Sequence, residues 1–170
     1  MTTVSVPAMR HRRLIISMNQ NQYSDALTVA VMMEAYARDA VEYARAKLHK
    51  QLDYSGDSIQ TLEAILEQYH AARAREVRRE KPSASPTTMD MICTLFGAYL
   101  GEAIRRNCGG EWELEPGTTP GHQTMSLRKG YAQTCPISKV LQRIMNGRED
   151  SVWFYFQFIA ANWKEDGSTL

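Results

Sequence analysis

Hydrophobic residues recur every three or four positions over much of the first half of the chain, which is the spacing of one face of an α-helix. Two long amphipathic helices are predicted from this pattern, over about residues 22–51 and 58–78. A turn sequence separates them and ends at Asp57 and Ser58. Either of these side chains is expected to cap the second helix by accepting a hydrogen bond from a free backbone N–H group.

A third helix is predicted to begin near Ser85 or Thr87, and its segment Ile92–Cys108 has apolar residues around about half of the circumference. Gly97 and Gly101 lie one turn apart beside this apolar face. Glycine inside a helix costs ~1 kcal/mol relative to alanine, so two glycines on one ridge indicate that another element packs closely there. This segment is therefore expected to be the buried centre of the fold.

Alternation of apolar and polar residues replaces the helical pattern after the double glycine at positions 109 and 110. It extends over residues 111–115 and again over residues 122–128, and residues 131–135 are consistent with a third short strand. The connections between these segments are short enough for a small antiparallel meander.

The last third of the chain predicts two further helices. One is expected over residues 136–146, with proline in its first turn and a glycine after its end. The aromatic content of residues 151–163 favours a strand, whereas their length and the acidic residues before them favour a helix, which is preferred. The whole pattern predicts a mostly helical α+β fold, with about five helices packed around a buried central helix and a small antiparallel sheet of two or three strands.

Composition adds limits on organisation and partners. The 170 residues are 44% hydrophobic and 23% charged, with a formal net charge of +1. One α+β domain over residues 20–165 is expected behind a flexible basic arm, residues 1–19. A near-neutral charge argues against nucleic acid and membrane surfaces as partners, because both usually require a large basic excess. No apolar run approaches the ~20 residues that cross a bilayer.

The residues that most often carry chemistry are scattered along the sequence. Four histidines and three cysteines show no paired spacing typical of a metal site, and the glycines do not form a phosphate-binding loop. No metal and no cofactor are therefore expected. Cys108 is the best candidate for a reactive thiol, although its position at a helix C-terminus raises the thiol pKa. An odd number of separated cysteines favours a reducing compartment, so a cytoplasmic location is expected.

One compact group of charged residues interrupts the apolar surface of the third helix. Glu102 precedes Arg105 by three residues and Arg106 by four, so its carboxylate can pair with either guanidinium. Tyr99 lies one turn before them, and Trp112 opens the following strand. These five residues form the candidate binding surface, and no residue is identified as catalytic.

Several short motifs occur together between about residues 50 and 160. They are Leu52-Asp-Tyr-Ser-Gly-Asp-Ser58, Phe96-Gly-Ala-Tyr-Leu-Gly-Glu102, Arg105-Arg106, Gly109-Gly-Glu-Trp112 and Asn146-Gly147. In this combination the chain resembles a family of bacterial proteins to which no activity is assigned. The resemblance implies a bacterial cytoplasmic protein and transfers no catalytic role to any residue.

The sequence leaves competing functions open. The preferred hypothesis is a protein-binding module of the immunity or adaptor type, without catalysis, that uses the groove between the third helix and the strands. The alternative is an enzyme or small-ligand-binding protein in which Glu102 acts as acid or base and Arg105 or Arg106 holds an anion. Nucleic-acid binding through the basic residues 10–13 and 73–81 is the least favoured. The identity of a partner, the oligomeric state and the strand order stay open.

Overall fold

The computed structural model describes residues 22–78, 86–116 and 123–163, and the predicted basic arm, residues 1–19, lies outside this range. Within it the chain forms five α-helices and one antiparallel sheet, which confirms the predicted α+β fold. None of the helices in these ranges is long and apolar enough to cross a bilayer. In chain order the elements are α1 (Gln22–Tyr43), α2 (Gly56–Arg78), α3 (Pro86–Cys108), β1 (Glu111–Pro116), β2 (Gln123–Lys129), β3 (Ala132–Thr134), α4 (Pro136–Asn146) and α5 (Val152–Asn162).

Helix α3 is the centre of the fold, and it contacts each of the other four α-helices. The two glycines on its ridge are the closest points of approach. A Cβ atom at Gly97 would lie 2.5 Å from the Cα atom of Ile137 in α4, and one at Gly101 would overlap the indole ring of Trp112. The predicted close packing is confirmed, because any side chain at either position would collide with its neighbour.

The connection between the first two helices differs from its prediction in two details. Helix α1 ends at Tyr43 and continues as a single π-helical turn, Ala44–Leu48, which His49 ends in a left-handed conformation with φ 53°. Helix α2 begins one turn before the predicted capping residues. Its cap is Ser55, whose Oγ accepts a hydrogen bond from the N–H of Ser58 at 3.2 Å. Asp53 orients this cap by accepting hydrogen bonds from the backbone N–H and the hydroxyl of Ser55.

The sheet has the strand order β1-β2-β3, with both pairs antiparallel. Trp112 of β1 lies opposite Leu127 of β2, and both side chains are buried. On the other face, Arg128 of β2 binds Glu113 at 2.6 Å and also Glu115. The alternation in the sequence therefore corresponds to one face against the core and one face carrying paired charges.

Residues 151–163 form a helix, as preferred from the sequence, with Ser151 capping α5 by accepting a hydrogen bond from the N–H of Phe154. Phe156 and Ile159 point into the core. The aromatic residues that made this segment ambiguous are distributed around the helix, since some are buried and others lie in solvent. A helix with apolar residues on both sides does not show a clear amphipathic period.

Candidate functional site

The predicted charged group closes around Glu102 near the end of α3. Trp112 donates from Nε1 to Glu102 Oε1 at 2.8 Å, and Arg105 donates to both carboxylate oxygens at 2.9 Å. Arg106 Nε lies 3.4 Å from Glu102 Oε2. The Glu102 side chain is 1% exposed, whereas those of Arg105 and Arg106 are 38% and 39% exposed. Both carboxylate oxygens therefore have partners, and the two arginines separate the carboxylate from solvent.

Tyr99 joins this cluster through Tyr54, which precedes α2. The Tyr54 ring stacks on Tyr99 with a centroid distance of 4.9 Å, and the guanidinium carbon of Arg106 lies 3.7 Å from the centre of the Tyr54 ring. The Tyr99 hydroxyl accepts a hydrogen bond from the Tyr54 N–H at 3.0 Å and lies 2.5 Å from Ser58 Oγ. Tyr54 has φ 66°, an uncommon value for an aromatic residue. The stack thus holds a strained connection against α3.

All five predicted residues are brought together, directly or through Tyr54, but three of them do not reach the surface. Tyr99, Glu102 and Trp112 are 0%, 0% and 2% exposed. A ligand at this position would therefore meet the two arginines and the edge of Tyr54 first. The arrangement can fix the end of α3 to β1 and to the start of α2.

Two opposing effects act on the pKa of Glu102. Burial raises it, but hydrogen bonds from Arg105 and Trp112 and the charge of Arg106 lower it further, so that the pKa lies below the ordinary value of a glutamate. The group is therefore a carboxylate at neutral pH. This state suits an ion pair or an acceptor and does not suit a proton donor.

We expect acid to destabilise the protein partly through Glu102. Its folded-state pKa is depressed, so its contribution to stability is present above the unfolded pKa of about 4.3 and is lost as pH falls through the folded value. Glu102→Gln should give a shallower decrease in the free energy of unfolding between about pH 5 and pH 3. Urea unfolding at several pH values measures this slope.

The matched control is Glu149→Gln, which removes an exposed carboxylate and should leave the slope unchanged. Some acid sensitivity should persist in Glu102→Gln, because hydrogen bonds from basic partners also lower the pKa of Glu67 and of Asp150. Parallel pH profiles for the wild type and Glu102→Gln would contradict the expectation.

A second charged cluster lies where α2, α4 and α5 meet. Arg143 of α4 is 1% exposed, and it donates from Nε to Glu63 Oε1 and from Nη2 to Glu67 Oε2, each at 2.6 Å. Burial lowers the pKa of Arg143, but the hydrogen bonds to Glu67 and Glu63 raise it above its ordinary value. The guanidinium is therefore charged and held between two carboxylates of α2.

Glu63 also reaches the beginning of α5. Its Oε2 atom accepts hydrogen bonds from Ser151 Oγ at 3.0 Å and from the N–H groups of Val152 and Trp153 at 2.8 and 3.2 Å. The first N–H groups of a helix have no partner within the helix and carry partial positive charge. A carboxylate from α2 thus completes the N-terminus of α5, together with the local cap.

A cleft of about 490 Å³ opens beside this cluster, between α2 and the start of α5. The described residues give no hydrogen-bond partner to the buried Nη1 atom of Arg143. Phe154 lies beside the cleft and is 70% exposed, and Phe158, one turn further along α5, is 68% exposed. The residues that line the cleft and matter below are Ala64, Glu67, Arg143, Arg148, Trp153 and Phe154.

Sequence reasoning did not identify this second cluster. One signal was present, since Glu63 and Glu67 lie one turn apart on α2 beside its buried stripe. Two like charges at this spacing destabilise a helix by a few tenths of a kcal/mol, so they call for a cation from elsewhere. Nothing in the sequence indicates that Arg143, 80 residues after Glu63, supplies it.

The thiols and possible metal ligands do not form a reactive centre in the described ranges. Burial raises the pKa of Cys93 to about 11, and it is also the main cause of the raised pKa of Cys108 and Cys135. A nucleophilic cysteine requires the opposite shift. In residues 22–78, 86–116 and 123–163, no three histidine, cysteine, aspartate or glutamate side chains converge as metal ligands. Comparison with protein-family models, with curated proteins and with solved structures finds no match to this chain.

Proposed function

We propose that this protein is a protein-binding module of the adaptor or immunity type, and that its partner covers the outer face of α5. The observation that carries the proposal is the pair Phe154 and Phe158, one turn apart and 70% and 68% exposed. Burying a phenylalanine side chain gains roughly 1.5–3 kcal/mol, so two neighbouring rings in water offer a large gain to a partner. One exposed ring alone would need no such explanation.

The predicted surface around Glu102 contributes differently. Tyr99 and Trp112 are buried, so only Arg105 and Arg106 are available there for contact. Glu102 as an acid or base, the alternative function, has less support. Its oxygens are occupied by Trp112 and Arg105, and its lowered pKa disfavours proton donation at neutral pH.

A bacterial cytoplasmic setting is part of the same proposal. It is supported by the family resemblance of the motifs and by the three cysteines, which are all unpaired. Free thiols are typical of a reducing compartment.

Substituting both phenylalanines is expected to remove partner binding without unfolding the protein. A photoreactive amino acid at the exposed position Gln157, introduced in cells of the source organism, should cross-link to one protein that mass spectrometry identifies. Phe154→Ser together with Phe158→Ser should reduce the cross-link yield at least roughly tenfold, because aromatic anchors often contribute more than 1 kcal/mol each.

The control is Val77→Ser on α2, which also removes an exposed apolar side chain (63% exposed) and should retain the cross-link. Circular dichroism checks that all variants fold. An undiminished cross-link in the double variant would refute the proposed surface. A cross-link only to a second copy of this chain would refute an adaptor with a different partner.

A further inference from the structure

We infer that the cleft between α2 and α5 binds an uncharged peptide segment of the partner. A main-chain amide of that segment lies against Arg143 and Glu67, and an apolar side chain lies against Trp153 and Phe154. The inference relies on the proposed function for the source of the peptide. Its chemistry comes from the cleft itself, which can be tested without the partner.

The charges of the cleft select a neutral ligand. Its lining carries two carboxylates, Glu63 and Glu67, and two guanidiniums, Arg143 and Arg148, so the positive and negative charges cancel. Arg143 is paired with both carboxylates, and Arg148 Nε lies 3.9 Å from Glu67 Oε2. A charged ligand would add an unbalanced charge to a partly dehydrated site, which is costly. An uncharged ligand avoids this cost.

The free hydrogen-bonding groups match both ends of an amide. The Nη1 atom of Arg143 is buried and has no partner among the described residues, and such a donor costs about 1–3 kcal/mol while it is unsatisfied. A carbonyl oxygen would satisfy it. Glu67 is 40% exposed, and its Oε2 atom is already bound to Arg143. Its second oxygen is available to accept the N–H of the same peptide segment.

The walls of the cleft fit an apolar side chain. Trp153 is half-buried and stacks on Phe156 with a centroid distance of 6.4 Å, so it forms a fixed wall. Phe154 is mostly in solvent and is free to turn. Because Nη1 lies below the surface, a ligand reaches it when this ring moves aside. A cleft of about 490 Å³ lies within the ordinary size range of ligand pockets, roughly 300–1,000 Å³, and accommodates two or three peptide residues.

Three compounds of nearly the same shape test the charge and amide requirements. They are N-acetyl-phenylalanine amide, which is neutral, N-acetyl-phenylalanine, which is an anion, and phenylalanine amide, which is a cation at pH 6. In a titration followed by ¹⁵N-resolved NMR, the neutral compound should bind saturably with a Kd on the order of 1 mM, as a fragment of this size allows. The shifts should centre on Ala64, Trp153 and the Nε–H of Arg143.

Both charged compounds should bind at least about fivefold more weakly, and raising the ionic strength to roughly 1 M should leave the affinity of the neutral compound unchanged. Tighter binding of the anion, with a loss of affinity in salt, would overturn the inference. So would the absence of saturable shifts with the neutral compound.

A blocking variant assigns the binding to the cleft. Ala64 is exposed and lines the cleft, so Ala64→Gln should fill it and weaken the neutral compound at least tenfold. Ala72→Gln introduces the same side chain at another exposed position of α2 and should behave as wild type. Equal binding by both variants would contradict the inference.

The same variants separate this inference from the proposed function. If Ala64→Gln retains the full cross-link to the partner while the double phenylalanine variant loses it, the partner covers α5 but does not insert into the cleft, and the inference fails alone. If the double phenylalanine variant retains the cross-link, the proposed function fails regardless of the NMR result.

Discussion

Replacing Glu63 with alanine is expected to lower the free energy of unfolding by about 3–5 kcal/mol, the range for breaking a buried ion pair from one side. The substitution removes the acceptor for the Nε atom of Arg143, whose side chain is 1% exposed. It also removes the acceptor for three donors at the start of α5. The guanidinium would then depend on Glu67 alone.

Urea unfolding monitored by circular dichroism measures this loss. Glu67→Ala is the matched control, because Glu67 binds the same arginine but is 40% exposed and does not reach α5. It is expected to cost about 1.5–3 kcal/mol, as for one hydrogen bond to a charged group. Equal losses for the two variants would show that the contacts of Glu63 with α5 contribute nothing.

Gly101→Ala is expected to destabilise the protein by about 3 kcal/mol, at the upper end of the usual cost of overpacking. The added methyl group would overlap the indole ring of Trp112, which is 2% exposed. That ring cannot move away without losing its hydrogen bond to Glu102. The sign is decisive, because in an uncrowded helix the same substitution would increase stability by about 1 kcal/mol.

A double-variant cycle with Trp112→Phe checks the cause. Phenylalanine has a smaller ring, so Gly101→Ala should cost less in that background than in the wild type, and the difference is the coupling between the two positions. Urea unfolding provides all four free energies, and near-ultraviolet circular dichroism follows the tryptophan environment. A stability of Gly101→Ala at or above that of the wild type would refute the close contact.

The secondary structure was largely predictable because the signals for it are local. Pro136 and Gly147 mark the two ends of α4 in the sequence, and the structure places the helix between them. The pair Gly97 and Gly101 indicated a close neighbour without naming it. The neighbours are Ile137 and Trp112, and only the first depends on a distant packing arrangement.

The two charged clusters differ in how far their members lie apart in sequence. Glu102 is within a few residues of both arginines and ten before Trp112, so helical spacing was enough to group them. Arg143 is 80 residues from Glu63, and a lone arginine on a surface helix is normally expected in solvent. Periodicity gives the face of each helix but not which faces meet, and for that reason the second cluster was missed.

The attachment of α5 to Glu63 also affects when the exposed phenylalanines are displayed. The carboxylate that completes the start of α5 precedes it by 88 to 90 residues. Closing a loop of that length is slow compared with forming a local helix, so α5 acquires its full set of contacts only after α2 and α4 have assembled. A nascent or partly folded chain therefore does not hold its two rings in a fixed array, and the binding surface becomes a property of the completed fold.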